Sequence, residues 1–376
     1  MRHTVDISAH PETGAFHNPA AYKGRGAVSN MSGRFEAEKR GVFNDGWTGP
    51  ATAEQGAVQL KTQLYQELPK QVLTKNQSPD VPFDRSVNPY RGCEHGCVYC
   101  FARPSHTYMG LSAGLDFESK LFFKENAAEV LRADLSRKGY KVAPIAMGTN
   151  TDPYQPIEKQ LGITRKILEV LLEVRHPVTI VTKSSLILRD LDLLQELARL
   201  NLVKVALSVT TLDRKLARTM EPRASSPQRR LDTIRQLAEK NIPVGALVAP
   251  VIPALNDHEL ENILQAIARA GATEAGYILL RLPLEVKDLF SEWLSVNFAE
   301  RRTRILRRLY AMRGGRANDP RFGHRMKGKG IEADLMRQRF FNSARRVGVN
   351  MSEGHDLDCT QFIPPQNPSD RQLRLF

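Results

Sequence analysis

From about Val81 onward the chain alternates short apolar, β-branched runs with longer stretches that are apolar on one side only. The runs are Val142–Met147, Val178–Thr182, Val203–Val209, Val244–Ala249 and Tyr277–Leu282. The amphipathic stretches are Glu125–Arg137, Ile163–Val174, Leu188–Leu200, Pro227–Lys240 and Asp257–Ala270. In the last, Leu260, Ile263, Leu264 and Ile267 recur at steps of three and four, which gives a helix one apolar face. Strands separated by helices of this length pair in parallel. With a weak strand just ahead of Cys93, six βα units result, and an α/β fold of the open, partial (β/α)6 barrel type is their natural closure. Residues 1–60 lack the pattern and are rich in Gly, Ala, Asn and charge, so they read as a mostly extended or disordered arm. The chain then divides into that arm, a core over 80–300, a helical extension over 301–350 and a tail over 351–376.

In βα barrels the working residues stand at the C-terminal ends of the strands. Here polar or turn residues follow every predicted strand. Cys93–Cys100 follow the first, and Gly148-Thr-Asn-Thr-Asp152 opens the loop after the second. Lys183-Ser184-Ser185, Thr210-Thr211 and Pro250–Asp257 follow the next three, and Arg281 ends the sixth. Six separate stretches thus converge on one mouth.

Charge changes the picture at one place. The net charge is +13, and between Arg301 and Arg346 fifteen Lys/Arg face three Asp/Glu, a local +12 that leaves the rest at +1. Such a block reads as a nucleic-acid footprint or as a solvated basic face. Within it Ile305, Leu306, Leu309 and Tyr310 give a helix an apolar side and leave arginines outward. No run of eighteen apolar residues occurs, and Met1-Arg-His-Thr-Val-Asp lacks the apolar stretch of a secretory signal. The expected location is the cytoplasm, where thiols stay reduced and no membrane partner is implied.

Three of the four cysteines fall within eight residues, in Cys93-Glu-His-Gly-Cys97-Val-Tyr-Cys100. This spacing lets one tight loop present three thiolates to one inorganic cluster. Such clusters are usually closed by four cysteines, so one iron keeps a site open for chemistry. A structural zinc site takes four ligands, typically in two pairs. No second cysteine pair exists here, and His95 and His106 would have to complete it. A disulfide framework needs an even set in a small secreted domain.

The pattern Cys-x3-Cys-x2-Cys, with an aromatic before the last cysteine, resembles the signature of the radical S-adenosylmethionine (radical SAM) enzymes. The resemblance implies a TIM-type partial barrel, a [4Fe–4S] cluster on Cys93, Cys97 and Cys100, S-adenosylmethionine on its open iron, and an electron donor. Cleavage of the sulfonium then yields a 5′-deoxyadenosyl radical. Tyr99 is expected against the adenine, or as simple packing beneath the loop. Many members carry Gly-Gly-Glu after the second strand to meet the amino group, whereas this chain offers Gly148, Thr149, Asn150 and Asp152. Lys183 and Ser184 fit the place that holds ribose or carboxylate, with an ordinary surface lysine as the alternative. Ser208 and Thr210 are further ribose or substrate contacts. Glu221-Pro-Arg223 with Arg229-Arg230 reads as an anion clamp or as a salt-bridged loop.

The wider runs are more particular. Asn88–Pro104, Thr151–Glu158, Glu221-Pro-Arg223 and Ala249–Asp257 together resemble the spore photoproduct lyase-like branch, often labelled DNA repair photolyases, over about residues 80 to 285. That resemblance implies a lyase-like radical enzyme without identifying its substrate. Joined to the basic block it points toward nucleic acid, as DNA lesion repair or modification. The alternatives are a small-molecule or protein substrate, or a non-catalytic iron–sulfur protein associated with DNA or the clamp. True spore photoproduct lyases also use a barrel cysteine as hydrogen donor, and none occurs here between Cys100 and Cys359. Cys359 can take that role only if the C-terminal segment folds back over the mouth; otherwise it is an inert thiol. Finally, Gln372-Leu-Arg-Leu-Phe376 resembles the pentapeptide by which bacterial polymerases and repair proteins dock on the DNA sliding clamp. Leu373, Leu375 and Phe376 would be the apolar anchors and Gln372 the hydrogen-bonding residue. The alternative is a hydrophobic terminus packed on the barrel.

Overall fold

The computed structural model describes residues 23–36, 60–351 and 356–365. Two short strands come first, β1 (Gln63–Gln66) and β2 (Leu73–Lys75). β2 pairs antiparallel with β3 (Arg85–Val87), the strand expected ahead of the cysteines. β4 (Tyr90–Arg91) follows, then α1 (Leu115–Ser119) and β5 (Lys120–Phe123). β1, β5 and β4 form a small three-stranded sheet beside the cysteine loop, an element that the sequence pattern had not suggested. α2 (Ala127–Leu135) then leads into the regular alternation.

That alternation runs β6 (Ile145–Met147), α3 (Glu158–Leu161), α4 (Ile163–Glu173), β7 (Val178–Thr182), α5 (Leu191–Arg199) and β8 (Val203–Ser208). It continues through α6 (Arg214–Met220), α7 (Pro227–Glu239), β9 (Val244–Val251), α8 (Leu260–Arg269) and β10 (Glu274–Leu279). β3 and β6 to β10 pair in parallel, each with the next, so the expected six βα units are present. The larger sheet has the order β10-β9-β8-β7-β6-β3-β2, and its two edges do not pair. It is a partial barrel. The apolar faces of the helices lie against it: Leu260, Ile263, Leu264 and Ile267 of α8 are all buried, as are Ile167, Leu168 and Leu171 of α4. Asp213 and Ser226 cap α6 and α7 through their side-chain oxygens, and Pro227 opens α7 where no N–H is needed.

The C-terminal extension is helical, as expected. α9 (Val286–Asn297) is followed by α10 (Ala299–Ala311), whose Ile305, Leu306 and Leu309 are buried in one apolar cluster with Phe290 and Trp293 of α9. α11 (Ile331–Arg346) packs on α8 and β10, with Phe340 and Tyr277 rings 4.8 Å apart. The loop between α10 and α11 bridges the gap between the sheet edges. Met326 O accepts from Leu279 N–H at 2.9 Å. On the other side, Asp80 accepts from Gly323 N–H at 2.7 Å and from Arg325 Nε at 2.6 Å. The Arg313 guanidinium, 1 % exposed, ties this loop to the carbonyls of Leu279 and Leu280.

Two further segments lie outside the barrel. Residues 23–36 carry no helix or strand, yet Arg25, Gly26, Ala27 and Val28 are buried against the cysteine loop. Residues 356–365 run across the N-terminal end of the barrel: Asp358 N–H and Gln361 Nε2 donate to Asn201 and Leu200 ahead of β8, and Ile363 N–H donates to Val174 ahead of β7. Cys359 is therefore at the end opposite the mouth, and its segment does not fold back over the mouth. Gln372, Leu373, Leu375 and Phe376 lie outside the described residues, as do 1–22 and 37–59.

Candidate functional site

The cysteine loop leaves β4 at the C-terminal end of the first parallel strand, and it is shaped around one buried cation. Arg103 is completely buried; its Nε donates to Cys97 O at 2.9 Å, and Nη1 reaches Ala113 O and Gly114 O at 3.0 and 2.9 Å. Its Nη2 reaches Gly96 O and forms an ion pair with buried Glu118. The other bonds to that carboxylate come from the arm: Gly26 N–H at 2.9 Å and Ala27 N–H at 2.8 Å. Gly26 lies so close that a Cβ there would meet Gly96 O at 1.8 Å. The stretch Gly24–Phe35 is thus a backbone strap behind the cysteine loop.

Cys93, Cys97 and Cys100 are free thiols on this loop, the first two buried. Burial pushes the Cys93 and Cys97 thiols up, and nearby negative charge, from Asp152 on Cys93 and from Glu221 on Cys97, adds to it. Such thiols become good ligands when a cation displaces their protons. Among the described residues, no three His, Cys, Asp or Glu side chains converge on one ion-sized point. A mononuclear zinc site needs that convergence, whereas a cubane takes one thiolate per iron at separate corners. Three free thiols on one loop are the donor type that iron–sulfur clusters take. His95, between the cysteines, has its Nδ1 3.3 Å from Asp152 Oδ2.

The strand ends around the loop carry the other expected residues. Gly148 turns the chain after β6 at φ +88°, where a Cβ would meet Val181 O at 2.0 Å. Thr149 Oγ1 and Asn150 N–H bond to the Asn88 amide. The Asp152 carboxylate is taken up by protein donors: Thr182 Oγ1 at 2.7 Å, Lys183 N–H at 2.8 Å and Tyr154 N–H at 2.9 Å, besides His95. Burial pushes it up, but His95 and those donors outweigh burial and hold it at about 2. Asp152 thus ties the loop after β6 to the end of β7 and to the cysteine loop. Ser184 caps the short turn after β7 by accepting from Leu186 N–H at 3.2 Å.

A second buried network sits across the mouth. Tyr99 Oη and Thr210 Oγ1 both donate to Glu221, which is ion-paired with buried Arg230. Arg230 also donates to Ser208 O at 2.9 Å. Burial raises the Glu221 carboxyl, but Arg230 and Lys183 outweigh it and bring it to about 2. Lys183 Nζ stands 5.9 Å over the Tyr99 ring. Arg223 pairs with Glu94 at 3.0 Å. For Arg223 and Arg230 the salt-bridged reading therefore holds over the anion clamp. The structure brings Tyr99, Gly148, Thr149, Asn150, Asp152, Lys183, Ser184, Ser208 and Thr210 to the mouth with the three cysteines. Sequence reasoning missed Arg103 and Glu118; an Arg three residues past the last cysteine was the only available signal.

In the basic block several charges are used inside the fold. Arg308 reaches Asp257 and Glu332, Arg339 reaches Glu261, and Arg325 reaches Asp80. Arg301, Arg304, Arg307, Arg345 and Arg346 are exposed and make no ion pair with the described residues.

A family model described as the radical SAM superfamily matches residues 87–267. An uncharacterized protein of Methanocaldococcus jannaschii is 32 % identical over 214 residues, covering 57 % of this chain and 76 % of that one. The chain belongs to the radical SAM superfamily, which works with a [4Fe–4S] cluster and S-adenosylmethionine. An uncharacterized protein of Mycobacterium tuberculosis is 39 % identical over 217 residues, and the match spans 57 % of this chain but 64 % of the relative's length. A radical SAM Nalpha-GlyT isomerase of Pseudomonas phage M6 is 27 % identical over 201 residues, covering 51 % of this chain and 40 % of that one. Among solved structures, spore photoproduct lyase complexed with dinucleoside spore photoproduct superposes with TM-score 0.56 at 15 % identity, over 76 % of this chain and 80 % of that one. The fold of this chain is that of spore photoproduct lyase.

Proposed function

We propose that this chain cleaves S-adenosylmethionine reductively and directs the resulting radical at nucleic acid, with damaged or modified DNA as substrate. The observation that carries the reading is the three-thiol loop at the C-terminal end of the first parallel strand, ringed by the ends of the other five. Cys93, Cys97 and Cys100 hold the cluster. When bound, cluster and cofactor supply one-electron cleavage of the sulfonium and a 5′-deoxyadenosyl radical able to abstract hydrogen. The chain's own residues position and exclude. Arg103 and Glu118 fix the carbonyls of the cysteine loop, and the Glu221–Arg230 pair holds the Tyr99 ring upright as a wall for the adenine. Lys183 offers a cation beside that ring for a carboxylate or ribose oxygen, and Ser184, Ser208, Thr210 and the 148–152 loop complete the rim.

DNA is supported by the fold shared with a lyase that holds a dinucleoside and by the exposed arginines of α10 and α11. Hydrogen return by a barrel thiol has no donor here: Cys359 is at the far end, and the other three cysteines are cluster ligands. In this reading Gln372–Phe376 docks on a sliding clamp, and deleting those residues abolishes clamp binding. The rival reading, a small-molecule or protein substrate, draws on the arginines used up inside the fold; a steep salt dependence of DNA binding counts against it.

The test is 5′-deoxyadenosine formation by anaerobically reconstituted protein with reductant and S-adenosylmethionine, beside Cys97→Ala. Product from the unaltered protein alone, raised by irradiated DNA, is the expected result. No product from protein with full iron content, with and without DNA, would sink the reading.

A further inference from the structure

Outside the barrel, a cavity of about 230 Å³ lies between the loop 323–330, the first turn of α11 and Tyr277 of β10. Its lining includes His324, Lys327, Lys329 and Arg337, with Asp334 as the one carboxylate. Asp334 is paired with Arg337 at 3.1 Å, so the two lysines are left in excess. The first-turn N–H groups of a helix have no intrahelical partner, and no side chain caps them at α11, whose N-cap is Gly330. That end carries a partial positive charge and is suited to an anion.

A second observation is independent of the helix. Tyr277 is only 9 % exposed, and its hydroxyl is buried with no hydrogen-bond partner among the described residues. A buried hydroxyl left unpaired is costly, a cost that a ligand oxygen in the cavity would remove. Phe340 packs against the ring at a tilt of 40°, and the Tyr277 oxygen lies within the field of Arg337 and Asp334, which both line the cavity.

We propose that this cavity is a phosphate-binding site, built from Lys327, Lys329, the uncapped start of α11 and the Tyr277 hydroxyl. The phosphate belongs to a polynucleotide backbone or to a free phosphorylated small molecule; the first source rests on the nucleic-acid reading above. The loop that roofs the cavity also reaches the mouth, since Met326 Sδ is 3.8 Å from the Arg281 guanidinium at the end of β10. A backbone phosphate held here would set a strand along the rim.

Two titrations on the full chain test it. Calorimetry with inorganic pyrophosphate compares the unaltered protein, Lys327→Gln/Lys329→Gln, Tyr277→Phe and a control with two exposed lysines changed elsewhere, Lys159→Gln/Lys166→Gln. The expected result is at least tenfold weaker binding in the first double variant, about threefold in Tyr277→Phe and no change in the control. Equal affinity in all four, or no binding by any, overturns the site; the altered lysines are exposed, so misfolding does not explain a loss. Fluorescence anisotropy with an oligodeoxynucleotide then separates the sources. A salt slope smaller by about 1 in the lysine double variant assigns the site to backbone phosphate. Pyrophosphate binding that depends on the two lysines, with no oligonucleotide binding by the unaltered protein, keeps the site for a free phosphorylated molecule and overturns the nucleic-acid reading.

Discussion

The two ends of the barrel are held by different forces. At the mouth, buried polar contacts fix the loops: the ion pairs of Arg103 with Glu118 and Arg230 with Glu221, and the close approach of His95 Nδ1 to Asp152. At the opposite end, residues 356–365 form a cover through backbone hydrogen bonds and a cluster of Tyr140, His176 and Phe362 rings. A buried ion pair returns little net stability for its desolvation, but each of its hydrogen bonds has a direction. Packing of the rings stabilises without orienting, and the backbone bonds there anchor the tail rather than any loop of the mouth. The mouth therefore trades stability for geometry, which is what a loop that must present three thiols requires.

Breaking the mouth should cost most. Arg103→Met leaves the Glu118 carboxylate buried without its cation and several carbonyls without donors, a loss of about 3–5 kcal/mol in urea unfolding. A change below about 1 kcal/mol would contradict the contrast. Next comes acidification at the far end. Burial lowers the His176 imidazole to about 4, with Tyr140 Oη 2.8 Å from its Nε2. A folded pKa below the unfolded value means stability is complete above about 6.5 and is lost as pH falls toward 4, by up to about 3 kcal/mol. His176→Gln should flatten that part of the stability–pH curve; an unaltered slope would count against a neutral cover. Gly26→Ala should cost about 1–3 kcal/mol through the forced contact with Gly96, and it should lower iron retained after anaerobic reconstitution. Retention equal to the unaltered protein would show the strap is dispensable. The smallest effect is expected from Cys359→Ala: no change in 5′-deoxyadenosine yield and about 0.5 kcal/mol or less in stability.

The barrel was legible because its code is local. Val178–Thr182 reads as a strand and is one to the residue, and α8 shows its apolar face in four residues. Convergence of the strand ends was legible for the same reason, once parallel pairing was inferred. What stayed hidden depends on partners far apart in sequence. Glu118 is defined by residues 15 positions before it and 92 positions before it, which no periodicity records. Asp152 reads as a ligand contact by position, yet its oxygens serve the protein. The basic block reads as one charged surface, while Arg313 is completely enclosed among carbonyls. Cys359 lies at the far end because Asp358 and Gln361 bond to residues ahead of β8.

The strap over residues 23–36 changes where the working unit begins. The matched family segment starts at residue 87, and a chain cut there would still contain the last residue of β3 and all of β6 to β10. It would nonetheless lack the two amide hydrogens that complete the Glu118 carboxylate and the backbone that closes over Gly96. A shortened protein of that kind would be a scaffold with its thiols in place and their support missing. For the engineer who trims this chain, the indivisible piece is defined by who holds the cysteine loop, and its holder lies some seventy residues upstream of Cys97.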